Sequence, residues 1–174
     1  MSIGKDAFSY CSSLTEVVLP DLITTIESKL FYYCKILQKV VIPNSVTFID
    51  SSAFQHCESL TEVIIPNSVT SIGEEAFEKC SSVRKVIIPE SVTHIGDRAF
   101  SDCESLKEVI LPDSVVLGGR KRIFGGCMCI YNFPYSLSED FRKVTSGSDT
   151  LSHLKVFLVH LRVAIHNLLC MPPK

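Results

Sequence analysis

Four residue types return at one interval along this chain, and that interval decides what it can fold into. Cys11, Cys34, Cys57, Cys80 and Cys103 are each 23 residues apart. Phe8, Phe31, Phe54, Phe77 and Phe100 keep the same step, as do Pro20, Pro43, Pro66, Pro89 and Pro112. Ile3, Ile26, Ile49, Ile72 and Ile95 make a fourth column. Self-similarity at such a period means that each unit is one supersecondary element, unable to bury its apolar side alone. Stacked neighbours then share a continuous core, and contacts run mainly between adjacent units.

The unit beginning at Ile49 shows how one coil is built. In Leu60-x-x-Val63-x-Ile65, Val63 and Ile65 alternate with Glu62 and Ile64. Side chains of a strand alternate between faces, so the first pair points to the core and the second outward. Pro66 has no N–H for a ladder and ends the strand, and Asn67-Ser68 supplies turn chemistry. Val69 and Ile72 bring the chain back along the core. Ala76, Phe77 and Cys80 of the next unit stand at i, i+1 and i+4, which predicts a short helical turn. The expected architecture is a solenoid of in-register parallel strands and short helical turns.

The pattern Ile-Gly-x-x-Ala-Phe-x-x-Cys-x-Ser-Leu-x-x-Val-x-Ile-Pro-x-Ser-Val-Thr resembles the BspA-like leucine-rich repeats of bacterial and protist proteins. The resemblance covers residues 3–117, and Ile72 to Thr93 follows it almost position by position. It implies a leucine-rich-repeat solenoid of the α/β repeat type, used for recognition or adhesion at a cell surface or in secreted form. It further implies a protein ligand of extracellular host or matrix origin, and it carries over no catalytic residue. Some positions depart from the pattern. Leu30 replaces the small Ala, Glu27 and Asp50 replace Gly, and a degraded sixth repeat over residues 118–137 places Phe124 and Cys127 at a step of 24.

The two ends read differently from the middle. Residues 138–174 are expected to form a helical cap or tail, because Leu154, Phe157, Leu158, Leu161, Ile165 and Leu168 recur at helical steps. That helix either closes the last coil or docks on a partner or a membrane surface. No polar capping repeat precedes Ile3, so either the natural array is longer or two chains pair edge to edge.

Charge and chemistry narrow the function further. Residues 1–117 carry 9 Lys and Arg against 16 Asp and Glu, and residues 118–174 carry 8 against 3. With a net charge of −2 there is no overall basic field for nucleic acid. The stretch from Leu154 to Leu169 is too short and too charged for a membrane span, and the N-terminus shows no apolar leader segment. No phosphate loop, nucleophile elbow or paired-carboxylate site is present, so no catalytic residue, metal site or cofactor is assigned. A cysteine spacing of 23 is not a zinc pattern. Parallel Cβ vectors disfavour bridging between neighbouring ladder cysteines, which leaves buried thiols packed beside Phe. Reduced thiols lean toward a reducing compartment, against the surface location that the resemblance implies.

Two outward columns remain as candidates for partner binding. Glu16, Lys39, Glu62, Lys85 and Glu108 alternate in sign down the stack, so each acid neighbours a base. Such a ladder serves register and solubility, and it also edges whatever lies beside it. The adjacent column reads Val18, Val41, Ile64, Ile87 and Ile110. If these face outward, they form an apolar stripe of the kind that marks binding surfaces. The competing explanations are strand propensity alone, or cover by the C-terminal helix.

Overall fold

The runs before each proline are rich in Val and Ile, whose branched Cβ favours extended backbone. The computed structural model describes residues 2–112, 115 and 122–127 of the chain. Within them lie nine short strands: β1 (Glu16–Val18), β2 (Thr25–Ile26), β3 (Lys39–Val41), β4 (Phe48–Ile49), β5 (Val63–Ile64), β6 (Ser71–Ile72), β7 (Lys85–Ile87), β8 (His94–Ile95) and β9 (Glu108–Ile110). Odd-numbered strands line one side of the solenoid and even-numbered strands the other. All pairings are parallel and join residues 23 apart, such as Glu16 with Lys39 and Ile72 with Ile95. The even strands make one continuous sheet in the order β2-β4-β6-β8. The odd strands make two, β1-β3 and β5-β7-β9, with no ladder joining β3 to β5.

Each proline ends its strand and closes a turn through its carbonyl. The N–H groups of Val46, Val69 and Val92 donate to the C=O of Pro43, Pro66 and Pro89 at 3.0–3.1 Å. The alternation read from the sequence sets the core: Val63, Ile65, Val86 and Ile88 are buried on the inner side. Phe8, Phe31, Phe54, Phe77, Phe100 and Phe124 stack in one file, with successive ring centroids 5.1–5.6 Å apart and planes within 15° of parallel. Stacking at that separation adds to the area that each ring buries.

The cysteines run beside this file and make a bond that packing alone does not require. The thiol of Cys34 donates to the Phe8 carbonyl at 2.9 Å, and Cys57, Cys80 and Cys103 repeat the contact to Phe31, Phe54 and Phe77 at 3.2–3.3 Å. Each Phe carbonyl from Phe31 to Phe77 also accepts the N–H of the cysteine three residues on, as Phe54 does from Cys57. Residues 122–127 continue the pattern, with the Cys127 thiol donating to Phe100 at 3.1 Å.

The helical turns expected around Phe77 are replaced by consecutive tight turns, and the described residues contain no helix. Two residues in each of the first five coils adopt left-handed backbone, Glu75 at φ 56° and Lys79 at φ 59° among them, and none of these ten is glycine, although Gly126 joins them in the sixth coil. A left-handed L-residue cannot continue an α-helix. Instead the N–H groups of Glu75, Phe77 and Lys79 donate to Asp97, Ala99 and Ser101 of the next coil at 2.7–2.9 Å. The N–H groups of Glu78 and Cys80 bond back three residues, to Glu75 and Phe77. Alternate donors therefore serve the neighbouring coil, which an α-helix with its local bonding could not do. Close approach also explains Gly73, where a Cβ would stand 2.6 Å from the Ser51 nitrogen. The expected C-terminal helix over residues 138–174 lies outside the described residues.

Candidate interaction face

The odd strands carry both candidate columns on their outward side. Val18 is 77% exposed, Ile64 67%, Ile87 48%, Ile110 43% and Val41 41%, while Val40, Val63, Val86 and Val109 between them are buried. The ladder holds Val18 against Val41, and Ile64 against Ile87 against Ile110. The stripe is thus a row of exposed branched side chains, interrupted where β3 and β5 do not pair. Burying such a side chain fully is worth about 1.5–3 kcal/mol, so the exposed row has free energy to release on contact. No described residue covers it, and the C-terminal segment that could do so lies outside the described residues.

The charged column stands in the same register, two residues toward the strand start and so on the same face. Lys85 meets Glu108 at 3.1 Å, an exposed ion pair worth roughly 0–1 kcal/mol. Glu16, Lys39 and Glu62 make no ion pair or side-chain hydrogen bond among the described residues, although each has an opposite charge on an adjacent coil. Between the two columns lie shallow grooves. One of about 370 Å³ is lined by Glu62, Ile64, Lys85 and Ile87, with Asn67 and Pro89 at its far rim. A smaller one of about 110 Å³ sits at the break in the ladder, between Lys39 and Val41 on one side and Glu62 and Ile64 on the other. Each groove is lined mainly by apolar surface, with charges of both signs among its lining residues. Such a surface suits a partner with matching apolar and charged side chains.

Two clusters on the turn side were not singled out from the sequence. Glu78 is buried and accepts hydrogen bonds from Gln55 and Arg98, and Arg98 also reaches Glu75 at 3.7 Å. Three consecutive coils are tied together by that carboxylate. Around the first coils, Tyr10 stacks on Tyr33 at 5.2 Å and Tyr33 on His56 at 4.0 Å, with Lys35 over the Tyr33 ring at 5.6 Å. Tyr10, Tyr33 and His56 are also 23 apart. The repeat step could have revealed them as a column. Lys35 pairs with Glu58 at 3.0 Å, and its hydrogen bond holds the Glu58 carboxyl below its usual range.

The thiols offer little reactivity where they stand. Burial pushes Cys34 up to about 11 and raises Cys57 and Cys80 as well. Cys103 is raised by its hydrogen bond with Cys127 and then by burial. A thiol held protonated is a poor nucleophile and a poor metal ligand. Among the described residues, no group of three or more His, Cys, Asp or Glu side chains is placed to hold a metal ion. The described residues hold no helix long and apolar enough to cross a membrane.

Similarity to known proteins agrees with this geometry. Residues 1–131 match the family described as BspA type leucine rich repeat region, in six copies. A leucine-rich repeat protein from Bacteroides ovatus shares 40% identity and a TM-score of 0.69 over 74% of this chain, which spans about a third (33%) of that protein's length. The leucine-rich repeat protein of Treponema pallidum shares 30% identity and a TM-score of 0.74, covering 83% of this chain and 77% of its own. No curated protein sequence matches. Both are described as leucine-rich repeat proteins, and the family match extends past the last described coil. By its repeat and by its fold, the chain belongs to the BspA-type leucine-rich repeat family.

Proposed function

We propose that this protein is a non-enzymatic recognition module that binds a protein partner through the outward side of its odd-numbered strands. The observation carrying this reading is the exposed row of Val18, Val41, Ile64, Ile87 and Ile110, flanked by the charged column from Glu16 to Glu108. Leucine-rich repeats generally serve protein interaction, and five stacked coils offer an extended, rigid surface for it. Adhesion to an extracellular host or matrix protein is the form of recognition that the family resemblance favours. The test is capture of a partner from cell or host extract by the full chain, compared with the Ile64→Glu/Ile87→Glu variant. Both positions are exposed, so the variant should keep the wild-type circular dichroism and melting temperature while losing the captured protein. Unfolding of the variant, or capture undiminished by it, would refute the sheet-face assignment.

A second reading has one observation in its favour. The chain spans only 33% of the Bacteroides ovatus protein, as expected of a segment in a longer array whose role is spacing or self-association. Fusing further repeats to the first coil should then raise stability by completing its exposed core side, whereas a self-sufficient module would gain nothing.

A further inference from the structure

The charged column has a symmetry that bears on what the face can bind. We infer that its partner is a second copy of this chain, packed face to face with a fixed offset. This deepens the recognition reading above and rests on it. In such a pair, a two-fold axis lying in the face and perpendicular to the stack brings each column against its own copy, running antiparallel. The alternation of sign then dictates where the axis can fall. An axis through the Glu62 coil would set Glu16 against Glu108, Lys39 against Lys85 and Glu62 against itself, like charge on like throughout. Juxtaposed like charges at an interface are strongly disfavoured. An axis between two coils reverses every contact.

One of the two central positions fits the structure better. With the axis between Lys39 and Glu62, Lys39 faces Glu62 of the second copy, and Glu16 faces Lys85 of the second copy. Those contacts provide opposite charges for Glu16, Lys39 and Glu62, the three members of the column that make no ion pair within the chain. Shifting the axis by one coil leaves Glu16 outside the overlap. The same axis crosses the break between β3 and β5, where the groove lined by Val41 and Ile64 opens. There Val41 meets Ile64 of the second copy and Val18 meets Ile87, so the apolar rows also coincide. The four overlapping strands, about 4.8 Å apart and about 10 Å long, give a face of only about 200 Å², well below the roughly 800 Å² per partner of a stable complex. The association is therefore transient.

Sedimentation velocity of the full chain over a concentration series tests this. Wild type should pass from monomer to dimer in roughly the tens to hundreds of micromolar range, with weaker association at high salt. Lys39→Glu/Lys85→Glu makes the column entirely acidic, and Glu16→Lys/Glu62→Lys/Glu108→Lys makes it entirely basic. Each variant alone should stay monomeric over the series, and an equimolar mixture should form the dimer again. That recovery requires both variants to be folded. A wild type monomeric throughout, variants that dimerise alone, or a mixture that stays monomeric would each overturn the proposal. A monomeric wild type whose partner capture is still lost in Ile64→Glu/Ile87→Glu would retire self-association and leave recognition of another protein standing.

Discussion

Cys34, Cys57 and Cys80 hold their protons because a thiolate there would be buried, and Cys103 because of its hydrogen bond with Cys127 and then burial. The carbonyl that accepts the S–H, such as Phe54 for Cys80, favours the protonated form as well. These thiols ionise less readily in the folded chain than in the unfolded one, where the ordinary value is near 9. Groups raised on folding stabilise the protein fully below their unfolded value, and that share is lost as pH rises through the folded value. Stability should thus hold up to about pH 8.5 and then fall progressively toward about 11, the value for Cys34, with the raised Cys57, Cys80 and Cys103 adding to the loss. Urea midpoints measured at pH 8 and pH 10 check this, and Cys80→Ala should shrink the difference by one thiol's share. A midpoint independent of pH across that interval would mean that the ladder thiols ionise as easily folded as unfolded.

The turn leg is the element in which sequence periodicity was a poor guide. A spacing of i, i+1 and i+4 fits a helical turn, yet Ala76, Phe77 and Cys80 sit in consecutive turns whose alternate N–H groups reach the next coil. Left-handed backbone at Glu75 and Lys79 makes this possible, at a cost of about 1–2 kcal/mol per residue. The inter-coil bonds and the stacked phenylalanines offset that cost. The same leg carries Glu78, 3% exposed, whose hydrogen bonds to Gln55 and Arg98 span three coils. Arg98→Met removes a charged donor and leaves the carboxylate half-served, so it should cost about 1.5–3 kcal/mol. Glu78→Gln, which stays polar without a charge to desolvate, should cost less. Chemical denaturation of both variants measures the difference, and a loss below about 0.5 kcal/mol for Arg98→Met would place the carboxylate effectively in water.

Taken whole, the molecule is a one-dimensional stack in which stability is distributed between neighbouring coils. Phe54 has a ring on either side, at 5.3 and 5.1 Å, whereas Phe8 stacks on Phe31 at 5.5 Å and lies only partly buried. Phe54→Ala should cost about 3–5 kcal/mol, and Phe8→Ala about half as much. Equal losses in urea would argue for a core that behaves as one block. The candidate face follows the same logic: it is a property of stacking, because no single coil holds more than one apolar and one charged member of each column.

Much of this was written in the repeat. A period of 23 shared by Phe8, Cys11, Ile3 and Pro20 and their successors names the neighbour of every residue. Parallel coils can satisfy their backbone only in register, so the phenylalanine file, the buried Val63 and Ile65, and the exposed Ile64 follow directly. Column arithmetic also placed Glu16 beside Lys39 and Val18 beside Val41. Four features were decided only by the tertiary structure. The turns of the Phe leg could not be read because no glycine marks the left-handed positions of the first five coils, which Asp6, Lys29, Ser52, Glu75 and Arg98 occupy in succession. The S–H bonds and the buried Glu78 needed the approach of one coil to the next. The break between β3 and β5 falls between two units whose strand patterns, Lys-Val-Val-Ile and Glu-Val-Ile-Ile, are nearly alike. A repeat determines who stands next to whom; how closely they stand, and which donor reaches across, is settled by the packing of whole coils.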